Sequence, residues 1–60
     1  MITAETKLAC LDREIKMRRR VYPRWVADGR MTQAKADDEI KTMEAIADDY
    51  RKAAAQERLI

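Results

Sequence analysis

Side chains able to move a proton, hold a metal or attack a carbon are scarce in this chain of 60 residues. It contains neither His nor Ser, and Cys10 is its single thiol. The usual pairs of nucleophile and base therefore cannot be assembled. Cys10 has no second cysteine with which to close an intrachain disulfide, and the lack of His removes the commonest zinc ligand. Set beside Leu11 on an apolar seam, Cys10 reads as a small buried hydrophobe. The doublets Asp37-Asp38 and Asp48-Asp49 offer carboxylates, but neighbours on a helix diverge by about 100°. They could converge only across an interface, and carboxylate bundles use a Glu-x-x-His pattern that is missing here. The reading is non-enzymatic, with no catalytic residue, metal or cofactor expected.

Binding chemistry is better represented. Tyr22, Arg24, Trp25, Arg30 and Met31 gather aromatic, Arg and Met side chains within ten positions. These are the types enriched at protein–protein hot spots, so they form the candidate partner-binding set. The plainer reading is that Tyr22 and Trp25 close the apolar end of a bundle. A second set, Arg13, Lys16, Arg20 and Arg24, recurs at spacings of 3, 4 and 4. That is a basic stripe along one helical face, suited to nucleic-acid phosphates. Arguing against it are a net charge of only +2, the lack of a known nucleic-acid motif, and the acidic segment that follows.

Positioning falls to helices. Ser, Asn and Phe are missing along with His, and one Gly and one Pro are the only breakers. A β fold needs more turn residues than that, so the class is all-α. Thr3 is a candidate N-cap, and Ala4, Leu8, Leu11, Ile15, Tyr22 and Val26 share one helical face. Cys10, Met17, Val21 and Trp25, spaced 7, 4 and 4, form a second seam about 115° round the helix. Glu14 and Arg18 lie between the seams as an i,i+4 pair, most simply a solvated pair at the rim. Pro23 either stops the first helix near Val21 or kinks it, and the unbroken phase of Tyr22 and Val26 favours the kink. Gly29 is the expected left-handed residue after the helix, and Thr32 caps the next one. There Ala36, Ile40, Met43, Ala47, Tyr50 and Ala54 form a near-heptad seam widened by Ile46 and Ala53. On its outer surface Asp37–Lys41 and Asp48–Lys52 are expected ion pairs.

The expected architecture is one helical-hairpin domain over 1–60: a helix at about 4–28, a turn at 29–31, and a helix at about 32–58. So short a connection makes the helices antiparallel. Residues 1–30 carry eight Lys/Arg against four Asp/Glu, and residues 31–60 carry five against seven, so the halves attract. A two-helix core is marginal at this length. The second seam is therefore expected to be covered by a second copy, giving a homodimeric four-helix bundle. No apolar run reaches the ~18 residues a membrane span needs, and the first residues lack a secretory pattern. With an unpaired Cys, that reads as cytoplasmic.

The run Val21-Tyr22-Pro23-Arg24-Trp25-Val26-Ala27-Asp28-Gly29-Arg30-Met31-Thr32, with Ala36, Glu39-Ile40, Met43 and Ile46 after it, resembles a family of short uncharacterised proteins encoded by bacteriophages and prophages of proteobacteria. The likeness spans roughly residues 12 to 50. It implies a viral protein acting in the host bacterial cytoplasm by binding a host protein, and it brings no catalytic residues.

Overall fold

In a computed structural model, which describes residues 1–59, the chain is two α-helices packed antiparallel. Ile60, the last residue of the expected domain, lies outside the described residues. Helix α1 runs Ala4–Ala27 and α2 runs Gln33–Arg58. Both begin on the expected Thr. Thr3 Oγ1 accepts a hydrogen bond from the Thr6 backbone N–H, and Thr32 Oγ1 accepts one from that of Lys35, each at 3.1 Å. Each cap satisfies one of the N–H groups that a helix start leaves without a partner.

Helix α1 does not stop at Pro23; the proline lies inside it. One missing backbone donor is tolerated because Tyr22, just before it, is locked into the core at 4 % exposure. The helix ends four residues later at Ala27, with Asp28 as its C-cap. There the Gly29 N–H donates to the Val26 carbonyl at 3.1 Å and the Arg30 N–H to the Trp25 carbonyl at 2.9 Å. Gly29 sits at φ +75°, in the left-handed region where only glycine is unstrained. These two bonds make a Schellman ending, which turns the chain back within a few residues.

The core follows the two expected seams. Ala4, Ile15 and Tyr22 of α1 are buried against Ala36, Ala47 and Ala54 of α2. Large side chains on one helix meet alanines on the other, so the axes can approach closely. Leu8, Leu11 and Val26, and Ile40, Met43 and Tyr50, line the edges and are half-buried. Among the described residues no large side chain is fully buried. The molecule is a slab of 48 × 17 × 13 Å, one helix thick, so each helix covers only one strip of the other.

Three cross-helix ion pairs set the register. Glu5 meets Arg58 at 3.1 Å, Asp12 meets Arg51 at 3.8 Å, and Arg19 meets Glu44 at 2.7 Å. Each step of seven along α1 is matched by a step of seven back along α2. The Ala4 N–H, free at the start of α1, donates to Glu57 Oε1 at 3.1 Å. The expectation that a basic first helix would attract an acidic second one is met only by Arg19–Glu44. In the other two pairs α1 supplies the acid. Position on the flank decides the pairing, because charges farther apart than about 8–10 Å are largely screened.

On the outer surface of α2, Asp48 pairs with Lys52 at 3.7 Å as expected. Asp37 does not pair with Lys41 but accepts a hydrogen bond from Gln33 Nε2 at 3.0 Å. Lys35 and Glu39 form a further i,i+4 pair at 3.0 Å. Among the described residues no helix is long and apolar enough to cross a membrane.

Candidate functional site

The partner-binding set does not form one surface. Tyr22 is withdrawn from it: the ring is buried and cannot touch another molecule. The phase that keeps Tyr22 in step with Ile15 points both into α2. Its role is to support Trp25, whose ring lies 5.7 Å away, centroid to centroid, at an interplanar tilt of 40°. Trp25 is left 36 % exposed. Arg24 is exposed on a different side, since adjacent helical residues diverge by about 100°. Arg30 is exposed in the turn, and Met31 beside it is half-buried. The usable cluster is therefore Trp25, Arg30 and Met31, with Arg24 round the corner.

The second seam is uncovered. Cys10 is exposed, Met17 is 50 % exposed, Val21 is half-buried, and Trp25 completes the line. Cys10 is thus not the buried hydrophobe its neighbours suggest. It lies beyond the strip that α2 can cover. Sequence phasing did not reveal that α2 adds to the same flank. Ile46, 41 % exposed, and Tyr50 line a shallow groove of about 390 Å³ with Ile2, Cys10 and Leu11. Lys7 Nζ lies 5.4 Å from the centroid of the Tyr50 ring along this flank. The signal that would have found the flank is the heptad ladder of ion pairs. That ladder occupies one side of the hairpin, so the apolar residues must fall on the other.

Polar groups interrupt this flank at one point. Arg18 Nη1 donates to the Tyr22 hydroxyl at 3.0 Å, while Arg18 Nε stands 3.6 Å from Glu14 Oε2. That distance allows attraction but not a hydrogen bond. Nε is shut off from water without a hydrogen-bonding partner, although 40 % of the Arg18 side chain is exposed. The Tyr22 hydrogen bond raises the guanidinium pKa further, with smaller help from the charges of Glu14 and Glu39. Arg18 stays charged at every physiological pH. The pair is more than a solvated rim contact, because it also anchors the buried tyrosine.

The basic stripe lies along the back of α1. Arg13, Lys16, Arg20 and Arg24 are all exposed, and among the described residues none makes an ion pair. The Arg18-Arg19-Arg20 run is split by the helix, with Arg18 on the apolar flank, Arg19 on Glu44 and Arg20 in the stripe. The acids of α2 that pair do so elsewhere, so they leave the stripe's charge unneutralised. Among the described residues no three His, Cys, Asp or Glu side chains gather as metal ligands. Comparison with family models, curated proteins and solved structures finds no match to this chain.

Proposed function

We propose that this hairpin is a small non-enzymatic interaction protein of the phage type, which self-associates and binds and modulates a host protein. The observation carrying this reading is Trp25. An indole packed at a tilt against a buried tyrosine and one-third open to solvent is a rigid anchor that loses little entropy on binding. Arg30 and Met31 flank it from the turn, and Arg24 adds charge. Affinity capture from host lysate, comparing wild type with Trp25→Ala, Arg30→Ala and Met31→Ala, tests the idea. The expected result is a bound protein lost with Trp25→Ala and weakened by the two turn variants, which lie off the second seam. Equal recovery of every captured protein by all four would end the reading.

A second reading is favoured by a separate observation, the unpaired cations of the stripe. Arg13, Lys16, Arg20 and Arg24 would act as an accessory nucleic-acid-binding face that contacts phosphates without reading sequence. Its mark would be a gel shift that weakens steeply with salt and disappears when the four are replaced by Ala. Binding indifferent to salt would exclude it.

A further inference from the structure

The flank carrying Cys10, Met17, Val21 and Ile46 has a pattern that specifies its own cover. We infer that a second copy lies antiparallel on it, related by a two-fold axis perpendicular to the helices and midway between Glu14 and Arg18. Glu14 of each copy then meets Arg18 of the other. This deepens the self-association proposed above and rests on it.

Area comes first. The chain exposes 4895 Å², against about 4,040 Å² for a compact monomer of its 7.0 kDa. The excess, about 850 Å², matches the roughly 800 Å² that one partner contributes to a standard interface. The exposed Met17, Trp25 and Ile46 supply apolar surface on the flank, and among its described residues the hairpin has no fully buried large side chain of its own.

Charge then selects a second copy as the occupant. A two-fold axis pairs residues equidistant from it. Glu14 and Arg18 lie two positions either side of Lys16, and Lys7 and Trp25 lie nine either side. The register of the ion-pair ladder puts Ala47, next to Ile46, at the level of Lys16. Ile46, one position from that level, is the midpoint of Lys35 and Glu57, so Lys35 comes within about 3 Å, along the helix axis, of the level of the other copy's Glu57. The antiparallel arrangement therefore sets acid against base twice on each copy, lays Lys7 near a Trp25 ring, and brings the two Ile46 side chains together. It also supplies a second carboxylate to Arg18, which has one hydrogen bond and further donors to fill. With the axis parallel to the helices instead, the same register would set Glu14 at the level of Asp49 and Arg18 at that of Ala45, placing Glu14 against an acid.

Charge reversal tests the pairing. Glu14→Lys and Arg18→Glu are purified separately, checked for helicity by circular dichroism, and examined with wild type by sedimentation equilibrium at high micromolar concentration. Wild type is expected at twice 7.0 kDa. Each variant alone is expected to shift to monomer, because like charges meet across the axis, and an equimolar mixture is expected to return to dimer. A mixture that stays monomeric beside a dimeric wild type overturns the pairing and leaves self-association standing. A monomeric wild type overturns both.

A second variant avoids dependence on the folding of charge mutants. Val21→Cys, mildly oxidised, is expected to join its introduced thiol to Cys10 of the other copy. The two Cys10 thiols of wild type are expected not to cross-link, since twelve residues, roughly 18 Å, separate their levels. Ready cross-linking of wild type through Cys10 would overturn the antiparallel geometry.

Discussion

Arg18 and Gly29 show how much rests on single side chains in so small a core. Arg18 ties Glu14 on the flank to Tyr22 in the interior. Arg18→Leu removes the donor to the Tyr22 hydroxyl, and a loss of about 1 kcal/mol in urea denaturation is expected. Gly29 has open space around its Cα but sits at φ +75°. Gly29→Ala therefore meets no clash and fails only through backbone strain, about 1–2 kcal/mol by the same measurement. Lys35 is shifted too. The hydrogen bond and charge of Glu39 raise its pKa above the ordinary lysine value. A group raised on folding adds stability that is fully present below its unfolded pKa and lost as pH rises through the folded one. The window is therefore alkaline, and nothing changes near neutrality. An NMR titration of Lys35 should show the raised midpoint, and Glu39→Gln should lower it.

At the scale of the helices, Pro23 and the ion-pair ladder have opposite roles. Pro23 removes one hydrogen bond from α1 and crowds the Arg19 carbonyl, a cost of about 3 kcal/mol in a helix interior. Pro23→Ala is expected to raise the thermal midpoint of the free protein. If capture of the host protein falls while stability rises, the proline belongs to function. The ladder contributes alignment more than energy. Arg19 and Glu44 are each about half exposed, so a double-mutant cycle should give a coupling of about 1 kcal/mol or less, reduced further by salt. The three rungs lie on one side of the contact line, and Ile46, Tyr50 and Cys10 lie on the other. Helix caps at Thr3 and Thr32 set where each rod starts, and the ladder sets how they slide against one another.

For the whole molecule, the decisive feature is a slab one helix thick. Among the described residues six hydrophobic side chains are buried, four of them alanine, which is a thin core. A stable form that depends on a second copy has a thermal midpoint that rises with protein concentration, as mass action requires. A midpoint independent of concentration would show that the hairpin stands alone. The ladder flank and basic stripe would stay open in the proposed antiparallel pair. In that pairing Arg30 and Met31, in the turn and off the flank, would lie free at opposite ends of the rod as the proposed host-binding residues.

Sequence alone determined the elements. Apolar periodicity, two Thr caps and one Gly are local signals, and local physics decides helix starts, a Schellman ending and an antiparallel return. It also placed Ile15 and Tyr22 on the core face and Arg18 between the two seams. Only the tertiary structure decided which charges pair, that Tyr22 is too deep to touch a partner, and that Cys10 and Ile46 share one open flank. Those are questions of register between two rods. A shift of one turn, about 5.4 Å, preserves every local pattern yet changes every neighbour across the contact. Phase along each helix is written in its own residues; alignment between helices depends on charges that recur every seventh position and match only when the rods are side by side.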